Sequence, residues 1–333
     1  MLVIENYSLA VVLCVMAMVC WGSWQNTRNM IGSAWRFELF YWDFIAGILL
    51  LSIVGAFTVG SMGQGGRAFL ADLAQADTSY IFSALLGGVI WNAGTLLLVA
   101  AISLTGMAIA FPIGGGIGWV LGIVINYMAS PVGNAMYLFV GCAFIVAAIL
   151  VSVMVNKAKS DSQTKSSTKG VVLAVMAGFA IALFYRFVAA AVFTDYANPE
   201  AGKISPYTGV VMLALGAFLS TFIFNSYLMA KPVEGEPVTF AQYAAAPAST
   251  HAWGIVGGVI WNMGTLFSFM ASGAAGFAIS YGLSNSAPVV AALWGIFAWK
   301  EFKGSPQKVY KLLALMFAFY AIGLGFIMYS RLS

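Results

Sequence analysis

Two ten-residue stretches carry polar chemistry in the middle of apolar runs. Residues 87–96 read GGVIWNAGTL and residues 257–266 read GGVIWNMGTL, differing only at Ala93 against Met263. Each copy aligns an indole, a carboxamide and a hydroxyl: Trp91, Asn92 and Thr95 in one, Trp261, Asn262 and Thr265 in the other. Such groups are costly to bury in hydrocarbon without partners. Two uses fit them. They could hydrogen-bond a polar ligand at mid-depth, where transporter substrate sites lie. They could equally tie neighbouring helices together, the flanking glycines allowing close approach. The recurrence is compatible with a pseudo-two-fold site and with a repeated packing joint.

Further polar residues interrupt other apolar runs. Trp21, Trp24, Gln25 and Arg28 follow the i, i+3, i+4, i+7 spacing of one helical face. That face suits a neutral polar ligand through Trp24 and Gln25, or an interfacial aromatic belt with Arg28 reaching towards headgroups. Tyr185 and Arg186 lie about sixteen residues beyond a polar linker, so Arg186 is expected near mid-depth, where an arginine is a candidate functional group. Tyr281, Ser284, Asn285, Ser286 and Pro288 make a soft polar segment in another run, and Pro112 with Gly114, Gly115 and Gly116 another. Helix breaks at both would turn backbone towards a cavity. The expected substrate site is therefore lined by Trp24, Gln25, Trp91, Asn92, Thr95, Tyr185, Arg186, Trp261, Asn262, Thr265, Tyr281 and Asn285.

Asp43 is the acid to consider for coupling. It lies about six residues, roughly 9 Å, into an apolar run. It could be the proton-binding group of a symporter, kept protonatable by desolvation, or a structural partner for Arg28 or Arg36. His251, the sole histidine, is expected as a solvated residue at an outer boundary. Without companions it makes no metal site. Cys14, Cys20 and Cys142 all fall inside apolar runs and read as small packing residues. No phosphate-binding loop, nucleophile triad or metal cluster is present in the sequence. No cofactor is expected, and an enzyme or ATP-driven pump finds no support.

The elements that must carry these residues follow from composition. Hydrophobic residues make up 62% of the chain and charged residues 8%, against roughly a quarter charged in soluble domains. The chain is thus expected to be an all-α integral membrane protein. Ten spans of roughly 20 residues can be drawn: near 8–30, 37–60, 79–104, 106–128, 133–155, 170–194, 206–229, 250–272, 275–299 and 308–330. The start, MLVIENYS, lacks a basic region, and the first span is not read as a cleaved leader. The net charge of +4 is spread over loops and forms no nucleic-acid patch.

The twin motif recurs at an offset of 170 residues, which also carries Gly106 onto Gly276. VVLCVMA at 11–17 pairs with VVLAVMA at 171–177. Two five-helix repeats are expected, 1–156 and 170–333, joined by the flexible linker 157–169. An odd number of spans per repeat makes them inverted. With both termini outside, eleven Lys and Arg fall in cytoplasmic loops and three outside, so this orientation in the inner (plasma) membrane is expected.

CWGSWQNTRN followed by FYWDF resembles the opening of the plant ureide permeases. KGVVLAVMAGF and GGVIWNMGTLFSF, with the ten-span plan, resemble the rhamnose–proton symporter and the bacterial glucose/ribose porters. All belong to the drug/metabolite transporter superfamily. The resemblance implies a five-plus-five inverted fold and proton-coupled uptake, with Trp24 and Asp43 matching the ureide-permease pattern. The linker lacks the long cytoplasmic insert of the plant proteins. The partners implied are a small-molecule substrate, protons and the lipid bilayer; the substrate is a small neutral polar metabolite, either a monosaccharide or a ureide, nucleobase or nucleoside. A proton-antiporting exporter and a non-transporting receptor or assembly subunit are the alternatives.

Overall fold

The computed structural model describes residues 1–32, 35–63, 65–159 and 167–333. The middle of the expected linker, 160–166, lies outside the described residues. In chain order the helices are α1 (Tyr7–Ser23), α2 (Asn26–Ile31), α3 (Phe37–Phe57), α4 (Phe69–Gln75), α5 (Thr78–Thr105), α6 (Met107–Ala129) and α7 (Ala135–Lys159). There follow α8 (Thr168–Ala191), α9 (Pro206–Ala230), α10 (Phe240–Ala244), α11 (Ala248–Ala275), α12 (Phe277–Ser284), α13 (Pro288–Leu293), a π-helical turn (Trp294–Ala298) and α14 (Gln307–Tyr329). Among the described residues, nine helices are long and apolar enough to cross a membrane. Their outward faces stay apolar, as Val12, Val15, Met16 and Val19 on α1 and Phe222 and Ile223 on α9 show. Such faces have no place in water but fit lipid. This is an all-α, multi-pass membrane protein.

The expected span 275–299 differs from one continuous helix. It runs from Gly276, beside Val132, to Trp299, whose indole donates to Asn26 at 2.6 Å. It covers that distance as α12, α13 and the π turn. Pro288 is the cause: it has no N–H to give the preceding turn, so α12 stops at Ser284 and Pro288 opens α13. Its partner segment does not break. Pro112 sits inside a continuous α6, so the expected interruption there is absent. What the two segments share is their start. Gly106 and Gly276 have φ of 77° and 83°, a left-handed turn that ends α5 and α11 without a side-chain clash.

Glycine also sets the helix crossings. A Cβ on Gly88 of α5 would strike the Leu213 carbonyl of α9, and one on Gly216 of α9 would strike the Leu85 carbonyl of α5. Likewise Gly258 of α11 lies on the Phe44 carbonyl of α3, and Gly47 of α3 on the Ile255 carbonyl of α11. The same crossing is thus built twice, with backbones in near contact. α5 lies against α8 and α9, and α11 against α1 and α3.

Both chain ends lie at one end of the bundle. The Leu2 amide donates to the Val59 carbonyl at 2.8 Å, and the Tyr7 hydroxyl donates to the Met328 carbonyl at 2.6 Å. Arg67 and α4 cap this end. Arg36, α2 and α10 form the opposite one.

Candidate functional site

Trp91 and Trp261 stand at the midpoints of two 28-residue helices, α5 and α11. Their rings meet with centroids 4.1 Å apart, tilted by 37°. Phe44 of α3 lies beside both, its centroid 6.5 Å from Trp91 and 6.4 Å from Trp261. Trp24, where α1 ends, packs on the same Phe44 at 4.5 Å. Three of the expected site residues are therefore joined by one ring that the sequence did not single out.

The indole N–H groups differ by position. Trp21 donates to the Trp261 carbonyl, Trp42 to Met229 Sδ, Trp119 to the Gly282 carbonyl, Trp294 to Ser23 Oγ and Trp299 to Asn26 Oδ1. Trp24, Trp91 and Trp261 have no such partner among the described residues. Trp91 and Trp261 are nonetheless only 5% and 6% exposed. Their nitrogens are not among the fully enclosed unpaired polar atoms, which do include Trp35 Nε1, so they retain a little accessible surface at which a ligand or a water can accept. The arrangement offers aromatic faces and donors to a small molecule that brings acceptors.

The two asparagines part company. Tyr41 donates to Asn92 Oδ1 at 2.8 Å. Asn92 Nδ2 donates to Ser220 Oγ at 2.7 Å, to Thr221 Oγ1 at 3.1 Å and to the Ala217 carbonyl at 3.1 Å. Asn92 is a joint between α5, α3 and α9. Asn262 is equally buried, yet neither its Oδ1 nor its Nδ2 has a hydrogen-bond partner among the described residues. Gly258 and Leu266, one turn to either side, touch Phe44 and Gly55, so Asn262 faces α3. Thr95 is half-buried, and Thr265 turns its hydroxyl back to the Trp261 carbonyl at 3.3 Å.

Tyr185 and Tyr281 form a second layer towards the Arg67 end. Tyr185 stacks on Phe269 at 4.3 Å, meets Tyr281 edge-on at 4.9 Å and shares a hydrogen bond with Ser268 Oγ at 3.2 Å. Tyr281 donates to the Gly118 carbonyl at 2.9 Å. Ser268 is seven residues beyond Trp261, roughly 10 Å along α11. Asn285 caps α12, its Nδ2 donating to the Tyr281 carbonyl at 3.1 Å.

Gln25 and Arg186 lie apart from these layers. Gln25 is exposed where α2 begins. Arg186 is half-buried, three residues after lipid-facing Leu183, and is only five residues from the end of α8, within snorkelling reach of that end. It has no ion-pair partner among the described residues and does not share a face with Tyr185.

Asp43 is 3% exposed and meets neither Arg28 nor Arg36. Arg36 is held by Glu38 at 2.6 Å and by the Glu234 and Glu236 carbonyls, and Arg28 lies over the Phe37 ring. Asp43 instead accepts from Tyr243 of α10 at 2.5 Å and faces His251 Nδ1 at 2.9 Å. His251 is therefore no isolated outer boundary residue. It sits at the Arg36 end, packed between Trp35 and Tyr243. Periodicity could not join Asp43 to a residue 208 positions away. The signal available was that each begins a long apolar run.

A cavity of about 300 Å³ opens at the Arg36 end, lined by Arg28, Phe37, Glu38, Ser103, Leu228 and Glu234 among others. Phe37 stacks on Tyr41 at 5.1 Å and Tyr41 on Phe44 at 5.7 Å, so rings lead from this cavity to the tryptophan layer. No cluster of three or more potential metal ligands occurs among the described residues.

The model of the ureide permease family matches residues 40–169 and 163–330. The chain belongs to that family. Ureide permease 1 of Arabidopsis thaliana is 22% identical, with 99% of each chain covered, and ureide permease 2 of the same plant is 23% identical over the same shares. A putative sugar uptake protein of Enterococcus faecalis (strain ATCC 700802 / V583) is 20% identical, covering 93% of this chain and 96% of that protein. A solved crystal structure aligns with a TM-score of 0.65 at 14% identity, covering 95% of this chain and 96% of that one, which bears on the fold alone. This ureide permease family member is a membrane transporter of small metabolites and not an enzyme.

Proposed function

We propose that this permease is a secondary transporter for proton-driven uptake of a small, neutral, carbonyl- or hydroxyl-bearing metabolite. The substrate binds where Trp24, Trp91 and Trp261 surround Phe44. The observation that carries this reading is the set of three indole N–H groups without acceptors at the middle of the bundle. Aromatic faces suit a flat ring or the C–H face of a sugar, and the free donors suit carbonyl or hydroxyl oxygens. Relatives named as ureide permeases and as a sugar uptake protein support the same two classes. Asp43 is the coupling acid: it is buried inside a helix of a membrane protein and, among the described residues, free of arginine or lysine partners. In this reading both termini face outside, the 157–169 linker is cytoplasmic, and the two halves are five-helix repeats.

The cavity at the Arg36 end then gives access from the cytoplasm. Thermal shift of the detergent-purified protein against allantoin, uracil, uridine, glucose, ribose and rhamnose tests the site. One of these should raise the unfolding temperature, and Trp91→Phe together with Trp261→Phe should abolish the rise. A ligand that stabilises the double variant as it does wild type would place the site elsewhere.

A further inference from the structure

Asp43 is buried from water, yet a coupling acid must exchange protons with it. The ring of His251 touches Asp43 and also reaches solvent. Its side chain is 23% exposed against 5% for Asp43, and Nδ1 lies 2.9 Å from Oδ2 and 3.1 Å from Oδ1. Nε2 has no partner among the described residues. Tyr243 is the other group on the carboxylate. Burial, then the adjacent Asp43, push its phenol up, so it remains a donor and does not titrate with the pair.

The remaining neighbours are fixed or uncharged. From α11, Gly254 packs against the Asp43 side chain, where a Cβ would clash. Trp35 meets the imidazole edge-on at 6.3 Å. Arg36 and Glu38, at the start of the same helix as Asp43, are paired with each other. On the connection before α10, Lys231 lies over the Tyr227 ring, and the Glu234 and Glu236 carbonyls are on Arg36.

We infer that His251 is the port through which Asp43 exchanges protons with the aqueous phase at the Arg36 end. This rests on the proton-coupled reading above. The transfer is balanced within the pair. A proton from water adds at Nε2, giving the imidazolium. The proton on Nδ1 then passes to Asp43 Oδ2, leaving a neutral imidazole protonated at Nε2 and a neutral carboxyl. Tyr243 keeps its bond to Oδ1 throughout. Release runs the same steps in reverse. His251 acts through Asp43 and touches no substrate, so it is a positioning and relay residue.

The test follows Asp43 itself and needs no substrate. Purified protein in nanodiscs is taken through a pH jump while infrared absorption monitors the carboxyl C=O stretch that appears on protonation and is missing in Asp43→Asn. In His251→Ala, and in His251→Gln, the band should appear at least about tenfold more slowly, the scale of a lost proton-transfer group. Added imidazole should restore the rate in His251→Ala, where it can occupy the vacated space, and leave His251→Gln slow. Unchanged rates in both histidine variants would overturn the relay and leave the proton-coupled reading standing. So would slowed rates in folded His251→Ala that imidazole does not restore, since His251 would then be a structural clasp. If wild type shows no titrating band, or Asp43→Asn shows the same band, the proton-coupled reading itself fails.

Discussion

Asn92 is hydrogen-bonded to side chains of two other helices, while Asn262, its counterpart 170 residues later, has no hydrogen-bond partner among the described residues. The cause lies in the facing helices. α9 brings the hydroxyl oxygens of Ser220 and Thr221 to Asn92, and among the described residues α3 brings no such acceptor to Asn262. Asn92→Ala removes an acceptor for Tyr41 and a donor to two hydroxyls. It should destabilise the protein by about 1–3 kcal/mol, read as a lower unfolding temperature in detergent. Asn262→Leu should leave that temperature unchanged or raise it. Equal losses in both variants would mean that Asn262 has a structural partner in the membrane.

Trp91→Phe and Trp261→Phe keep an aromatic ring in the central stack and delete only the unpaired N–H and part of the indole. Each should fold, and each should weaken substrate binding by about 1 kcal/mol, roughly fivefold. Trp119→Phe is the control. Its N–H is bonded to the Gly282 carbonyl at 3.0 Å, so its loss removes a formed buried hydrogen bond and should lower stability instead. Ligand titration and thermal unfolding of the three variants separate these outcomes.

The helical membrane fold was legible because its signals are local. Long apolar runs mark spans, and the duplicated GGVIWN places Trp91 and Trp261 alike at helix midpoints. Pro288 likewise marked a break that the structure contains, because it opens a new helix; Pro112, similar on paper, sits inside α6 without breaking it. The side-chain pairings were not legible. Identical motifs met different neighbours, so Asn92 and Asn262 diverged although their own sequences agree. Asp43 and His251 are brought together by the α3–α11 crossing, and charge alone suggested an arginine partner that Glu38 already holds. Arg186 was placed by its distance from the linker, whereas it is only five residues from the Ala191 end of α8.

Gly88→Ala and Gly258→Ala test the crossings. In each case the new methyl would meet main-chain atoms, the Leu213 carbonyl for Gly88 and the Phe44 carbonyl for Gly258, and backbone cannot rotate aside as a flexible side chain can. Separating the helices strips contacts along their whole length. Each variant should lose several kcal/mol, in the range of severe overpacking or more, seen as little monodisperse protein on size-exclusion chromatography. Gly325→Ala, where a Cβ meets nothing within 4 Å, should behave as wild type.

At the other end of the bundle, Asp72 of α4 is fully buried and accepts three hydrogen bonds: from Arg67 Nε at 2.9 Å, the Ser205 amide at 2.7 Å and Thr208 Oγ1 at 2.6 Å. Arg67 in turn donates to the Pro199, Glu200 and Lys203 carbonyls and lies 4.7 Å from the centre of the Phe193 ring. The pair therefore staples α4 and the loop before it to the segment between α8 and α9. Arg67→Ala leaves the Asp72 charge buried with only two neutral donors. The expected loss is about 3 kcal/mol, the lower part of the range for a broken buried pair, because Arg67 keeps some contact with water. Asp72→Asn alone turns an amide N–H₂ or a weaker acceptor towards the guanidinium and should also destabilise. The double variant should lose less than the sum of the two, since no unpaired buried charge remains. Thermal unfolding of the four proteins gives the coupling directly. A sum that is simply additive would show that Arg67 holds the loop through its carbonyl and aromatic contacts and not through Asp72.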